Sequence, residues 1–197
     1  PAESVITVYV HFDEDVTVGG TPQLTLKTKT DGSTTTVPYS TTVGNDSISF
    51  LYTVAAGDGV QYLDYPATNS LVLNGGTIKD AAGNDAVLTL GTPGGVSSLT
   101  VRKLTIDTSG PTVVSVTKDA LGGQTGTASG YYNEGYNIYF HVNFTDDFSS
   151  GDDIVTVTTG NGTPTITMET REEDATDPSA SYYSNRGDGS LRFRYNI

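Results

Sequence analysis

One pattern of alternating apolar residues occurs twice in this chain, and this repeat constrains the fold more than any other feature. Residues 6–12 carry an apolar side chain at every second position, and residues 138–144 do the same 132 positions later. Alternation with a period of two is typical of a β-strand with one buried face. Two further apolar blocks recur in the same order, at 21–26 and 163–168 and at 48–52 and 191–195. The sequence therefore predicts two copies of one β-unit.

Turn-forming residues divide the rest of the chain into additional short strands. Residues 34–39 are predicted to form a short edge strand, and residues 70–78 a single strand that runs through Asn74-Gly75-Gly76. Residues 99–106 are predicted to form the last strand of the first copy. No segment keeps the 3.6-residue period of a helix. The predicted fold class is all-β.

The two copies meet at a segment with Gly110 and Pro111, which interrupt a β-ladder. The strand predicted at 112–117 has no counterpart in the first copy, and the second copy lacks counterparts of residues 70–106. We expect that the chain is an excerpt of a longer array, or that neighbouring chains supply strands by strand addition. The predicted domains are repeat 1 at 1–107 without its first strand, a linker at 108–111, and repeat 2 at 112–197 without its last strands.

Composition narrows the classes of function. The formal net charge is −13, which disfavours nucleic acid as a partner because phosphates would be repelled. The chain has no cysteine, so disulfides and thiolate metal sites are excluded. No stretch approaches the ~20 apolar residues of a membrane helix, and we expect no membrane insertion. Cations are the ligands that such an acidic chain attracts.

Three blocks resemble bacterial Ig-like repeats. Residues 16–26 resemble the second-to-third strand block of such repeats, residues 70–84 their late-strand signature, and residues 106–111 their interdomain junction. Repeats of this cadherin-like or Ig-like family occur in large bacterial surface proteins, including adhesins and biofilm proteins. The second copy departs from the family pattern at 121–133 and at 169–177. The resemblance implies tandem Ig-like Greek-key β-sandwich domains, extracellular exposure and calcium at domain junctions.

Carboxylates near the predicted strand ends suggest two calcium sites. Calcium takes about six to eight oxygen ligands from carboxylates and carbonyls. In a seven-strand sandwich, alternating strand directions bring the connecting loops together at two poles. The alternative interpretation is that these side chains only form turns with the local backbone. We expect Asp64, Asp107, Asp146 and Asp147, with Asp58, to converge at the junction, and Asp13, Glu14, Asp80 and Asn84 to form half a site at the other pole.

Nothing in the sequence predicts an enzyme. The two histidines, His11 and His141, are expected at aligned positions of one strand, out of phase with its buried face. No nucleophile elbow, phosphate loop or zinc motif is present. Four tyrosines could instead bind a glycan or a protein, although we favour the interpretation that they pack across strands or cover loops. They are Tyr131, Tyr132, Tyr182 and Tyr183.

The predicted function is a structural or adhesive module of a large extracellular bacterial surface protein. Its partners would be neighbouring Ig-like repeats of the same or an adjacent chain, and calcium would stiffen the junction. Two alternatives stay open, namely a subunit of a self-assembling extracellular filament and a module that binds a cell-surface glycan or protein.

Overall fold

The structure is a computed structural model, and it describes residues 2–118, 135–145, 155–168, 178–187 and 189–197. Regular structure in these residues is β, apart from one 3-10 helix at Leu99–Arg102. The chain divides into two compact units, Pro1–Ser109 and Gly110–Ile197, and each has its own hydrophobic core. The all-β prediction is confirmed.

Unit 1 is built around a five-stranded antiparallel sheet in the order β1-β5-β4-β3-β7. Two further strand pairs, β2–β8 and β6–β9, complete its regular structure. Its strands are β1 (Val5–His11), β2 (Thr17–Gly19), β3 (Gln23–Lys27), β4 (Thr34–Val43), β5 (Ser47–Thr53), β6 (Gly59–Val60), β7 (Leu71–Val72), β8 (Thr77–Lys79) and β9 (Ile106–Asp107).

The core of unit 1 follows from the period-two pattern of β1 and β5. Ile48, Phe50 and Tyr52 all point to one face of β5 and are completely buried. Opposite them on β1, Val8 is buried against Phe50 in the ladder. Apolar residues from the small sheets, such as Ile78 on β8, join the same cluster. A one-residue slip would turn these side chains to solvent, so burial sets the register.

Unit 2 contains a second five-stranded antiparallel sheet, in the order β10-β11-β14-β13-β12. Its buried residues include Val142, Leu191 and Phe193, which the sequence repeat placed at core positions. The strands are β10 (Thr112–Lys118), β11 (Asn137–Thr145), β12 (Thr165–Thr167), β13 (Ser179–Asn185) and β14 (Ser190–Asn196).

The two sheets share one pairing register. Val8 faces Phe50 in unit 1, and Phe140 faces Phe193 in unit 2, at the offsets of 132 and 143 that the sequence repeat shows. A β-bulge interrupts the ladder at equivalent places, after Tyr39 in β4 and after Tyr182 in β13. β1, β5, β4 and β3 therefore correspond to β11, β14, β13 and β12. In unit 2, β10 pairs with β11 and forms the edge of the sheet. In unit 1, the edge strand at this position is β1 itself.

The prediction of a short edge strand at 34–39 was wrong. β4 runs from Thr34 to Val43 and lies inside the sheet, between β5 and β3. Threonines occur on both faces of β4, so the two faces differ little in hydrophobicity, and the predicted strand stopped four residues too early. The bulge after Tyr39 also shifts the register, which hides the second half of the strand from a period-two search.

Two other strand predictions also need correction. The single strand predicted at 70–78 is divided into β7 and β8, because Asn74 and Gly75 adopt left-handed conformations with φ of 48° and 76° and form a turn. The first half of the strand predicted at 99–106 is the 3-10 helix, which is followed by Lys103 with a φ of 48°. Only Ile106–Asp107 pairs as a strand.

Candidate functional site

The end of unit 1 is held by a buried tyrosine–aspartate pair. The carboxylate of Asp58, which is 4% exposed, accepts a 2.6 Å hydrogen bond from the Tyr52 hydroxyl and a 2.8 Å bond from the Ala55 N–H. Burial, followed by the hydrogen bond to Asp58, raises the pKa of Tyr52 far above its ordinary value. The pair therefore joins the core of the sheet to the loop before β6.

The same loop holds the residues that lead out of unit 1. The Thr108 hydroxyl donates to the Asp58 carbonyl at 2.7 Å, and it accepts from the Gly57 N–H at 2.9 Å. One position earlier, Asp107 pairs with Gly59 across β6 and β9. The Asp107 carboxylate accepts hydrogen bonds from the N–H and hydroxyl of Ser109. Asp107 thus forms a local Asx-type turn at the boundary of the unit.

Asp64 holds a different loop. Its carboxylate is 6% exposed and accepts the Gly94 N–H at 2.8 Å and the Leu99 N–H at 3.2 Å. Burial, with a contribution from the Asp64 charge, raises the pKa of the neighbouring Tyr65. Both carboxylate oxygens of Asp64 therefore stabilise the irregular segment before the 3-10 helix.

The carboxylates of the other predicted half site lie at the surface, where Asp13 and Glu14 are exposed and Asp80 is half-buried. Asp80 accepts the Asn84 N–H at 2.7 Å and the Asn84 side-chain amide at 2.6 Å. The Asn84 side chain, followed by the Asn84 N–H, lowers the pKa of Asp80. Asp13 and Glu14 are exposed in the turn before β2, and β2 pairs with β8, which leads into the Asp80 turn.

The structure therefore places most of the predicted calcium ligands in local hydrogen-bond networks. Asp58 and Asp107 lie in adjacent strand ends, whereas the Asp64 carboxylate is turned toward residues 94–99. Asp146 and Asp147 lie outside the described residues. Within the described ranges, no group of three or more His, Cys, Asp or Glu side chains has the spacing to hold a metal ion.

The two histidines are not at aligned positions, which corrects the sequence prediction. His141 faces Arg192 in the ladder, and the offsets of 132 and 143 make it the counterpart of Tyr9, which faces Ser49. His11 corresponds instead to Asn143. Its ring Nδ1 lies 2.7 Å from the Ser47 hydroxyl.

The tyrosines of unit 2 divide between the two faces of the sheet. Tyr182 packs edge-on against Phe193 with ring centres 6.1 Å apart, so its packing across the strands is confirmed. Tyr183 is 48% exposed on the opposite face and lies 5.4 Å from the Tyr139 ring. The Arg194 guanidinium lies 5.1 Å from the centre of the Tyr183 ring. Tyr131 and Tyr132 lie outside the described residues.

An apolar groove runs beside β1 in unit 1. It has a volume of about 590 Å³ and lies between β1 and the segments 87–91 and 96–104. Leu88, Leu90 and Leu99 on its far side are partly buried against the core. Val96, also in its lining, is 93% exposed. Sequence reasoning missed this groove because its far wall is irregular backbone without a periodic signal.

Tyr52, Thr108 and the loop partners of Asp64 were also missed as a site. Most buried tyrosine hydroxyls have a hydrogen-bond partner, so Tyr52 carried a signal that could have directed the search to a nearby acid. Comparison of the chain with protein families, curated proteins and solved structures found no match. In the described part of the chain, no helix is long and apolar enough to cross a membrane.

Proposed function

We propose that this chain is a structural module of a large extracellular surface protein, in which tandem Ig-like β-sandwich units act as spacers. The observation that carries this proposal is the repetition of one sheet, with the same register and the same bulge, in two units with separate cores. Units that each have their own core can be added in series without changing their neighbours.

The way unit 1 holds its two ends also suits a spacer. Near the start of the chain, Ser4 accepts a hydrogen bond from Val54 N–H. At the end of the unit, Thr108 bonds to Gly57 and Asp58. Both ends are therefore tied by hydrogen bonds to the segment 54–58, and tension applied along the chain would have to break those bonds before the core opens.

A pulling experiment on the full chain, held at its two ends, tests the proposal. We expect two separate unfolding events that release about 37 nm of chain for unit 1 and about 30 nm for unit 2, from about 3.4 Å per extended residue. Thr108→Val removes both hydroxyl hydrogen bonds and is expected to lower the unfolding force of unit 1 alone. Thr117→Val, an exposed substitution in unit 2, is the matched control. A single cooperative event, or no measurable resistance, would contradict the spacer function.

A binding module is the second candidate, and one observation favours it. Tyr183, which is exposed, and Tyr139, which is half-buried, form an aromatic pair beside Arg194 on the outer face of the unit 2 sheet. Aromatic rings next to a guanidinium can stack on sugars or on the side chains of a protein. A glycan array with the unaltered chain and the Tyr183→Ala variant tests this candidate. Binding that the variant retains, or no binding at all, would exclude this surface.

A further inference from the structure

The outer edge of β1 has backbone groups without a partner strand. Among the described residues, β1 pairs only with β5, at the end of the sheet. Phe12 donates its N–H to Asp46, and Ser4 accepts from Val54 N–H, so the even-numbered residues turn their backbone toward β5. Backbone direction alternates along an antiparallel strand, and the odd-numbered residues therefore face away from the sheet. These residues are Val5, Thr7, Tyr9 and His11.

This edge lacks the features that usually prevent strand addition. Proteins protect sheet edges with lysine, proline, bulges or very short strands. β1 is 7 residues long, contains neither lysine nor proline, and pairs with β5 without a register shift. At the opposite end of the same sheet, β7 has only 2 residues. The unprotected edge of β1 is therefore a template for another strand.

Unit 2 shows which strand fits at this position. There β10 pairs antiparallel with β11, the counterpart of β1, and forms the edge of the sheet. Val116 faces Val142, and Val113 faces Phe144. With the offset of 132, a strand like β10 would place the counterparts of Val116 and Val113 opposite Val10 and Phe12 of unit 1.

The groove beside β1 provides space for those valines. Residues directly opposite in an antiparallel pair have their side chains on the same face of the sheet. Val10 and Phe12 are partly buried against the core and line the groove, together with Leu90. The valines of an added strand would enter the groove on that face and cover apolar surface, which is favourable.

We propose that the edge of β1 and the adjoining groove bind one extended polypeptide segment with the residue pattern of β10. The segment runs antiparallel to β1, has β-branched apolar residues opposite Val10 and Phe12, and carries no acidic residue. None of the residues of β10 is acidic, which suits a chain whose formal net charge is −13, and its one charged residue, Lys118, would lie opposite Val8. This deepens the proposed function by naming the class of partner that completes unit 1, but its test does not depend on the spacer function.

A synthetic peptide with the sequence of residues 111–118, labelled for fluorescence anisotropy, provides the binding test against the full chain. We expect saturable binding, and at least tenfold slower amide hydrogen exchange at Thr7 and Tyr9, which face the open edge. A peptide with the same residues in scrambled order is expected not to bind. No binding at millimolar concentration, equal binding of the scrambled peptide, or protection confined to other residues would overturn the proposal.

Variants of β1 test the role of the backbone. Tyr9→Pro removes an N–H that faces the open edge and leaves the pairing with β5 intact, so we expect peptide affinity to fall about tenfold. Tyr9→Thr keeps the N–H and serves as the matched control, with a change below about threefold. Equal affinities of the two variants would refute strand pairing.

A second pair of variants keeps the test usable if Tyr9→Pro fails to fold. Val101→Lys puts a positive charge at an exposed position of the groove and is expected to weaken binding of the lysine-containing peptide. Val43→Lys, exposed on β4 outside the groove, is expected to bind as the unaltered chain does. Similar affinities for the two would overturn the proposal. Concentration-dependent dimers that the peptide does not dissociate would assign the edge to a second copy and also overturn it.

Discussion

Replacing Tyr52 by phenylalanine isolates the hydrogen bond at the end of unit 1. The ring of Tyr52 is 1% exposed, and phenylalanine would keep its packing while removing the hydroxyl that donates to Asp58 at 2.6 Å. The Asp58 carboxylate would then retain the Ala55 N–H as its remaining donor in the described part of the chain. The substitution therefore removes one of the two hydrogen bonds that the buried Oδ2 of Asp58 accepts.

The expected cost follows from the charge of the acceptor. A hydrogen bond to a charged group contributes about 1.5–3 kcal/mol, and the Ala55 N–H that Asp58 Oδ2 keeps holds the expected cost within that range. We expect Tyr52→Phe to lower the free energy of unfolding of unit 1 by about 2 kcal/mol. Tyr65→Phe is the matched control, because Tyr65 is also buried but its hydroxyl has no hydrogen bond among the described residues.

Urea unfolding followed by the methyl NMR signals of Leu24 and Leu26 measures unit 1 within the full chain, since both leucines are buried in its core. If Tyr52→Phe costs no more than Tyr65→Phe, the Tyr52–Asp58 bond does not stabilise the unit. The pH dependence gives a second readout. The pKa of Tyr52 is raised in the folded state, so its contribution is complete below the unfolded tyrosine pKa of about 10 and is lost as the pH rises above it. The difference between the unaltered chain and Tyr52→Phe should therefore shrink above about pH 10.

Three further predictions concern unit 1 and its ions. Asp64→Asn replaces one acceptor oxygen by an NH₂ group, so amide exchange at Gly94 or Leu99 should quicken about tenfold; unchanged exchange at both would contradict the anchoring role. Gly76→Ala would drive a Cβ into the backbone oxygen of Gly19 and should cost about 2–4 kcal/mol, measured by urea unfolding; a cost within about 0.5 kcal/mol would refute the clash. Calcium should raise the melting temperature of the full chain relative to a chelator, as the sequence predicts, and equal midpoints would refute calcium binding.

The sequence predicted the strands whose two faces differ in hydrophobicity. β1, β5, β11 and β14 were located because apolar residues alternate with polar ones along each of them. β4 was cut short because its threonines make both faces similar, and because a bulge breaks the alternation. Alternating hydrophobicity therefore locates strands that bury one face. It misses strands that are defined mainly by hydrogen bonds to the neighbouring strands.

The roles of the aspartates were harder to predict. Asp58 and Asp64 were predicted to be calcium ligands at the junction, but a carboxylate that accepts backbone N–H groups follows a strand or turn in the sequence just as a metal ligand does. Asp64 bonds to Gly94 and Leu99, which are 30 and 35 residues away along the chain. Contacts over such separations depend on the folded topology of irregular loops, which no local period reveals.

The comparison of the two units explains where such a chain can vary. The offset between them grows from 132 to 143, so eleven residues were added to loops while every shared ladder kept its register. Doubling a loop costs only about 0.6 kcal/mol, whereas a one-residue slip would expose the whole buried face of a strand. A change in loop length therefore costs little free energy of folding, whereas a change in register costs much. Among the described residues, β10 pairs with the outer edge of β11 and β1 has no strand beyond it, yet the ladders inside the two sheets have the same register. An edge strand is therefore not needed to set the register of the inner strands, and the edge of β1 is the place where we expect a segment like β10 to pair.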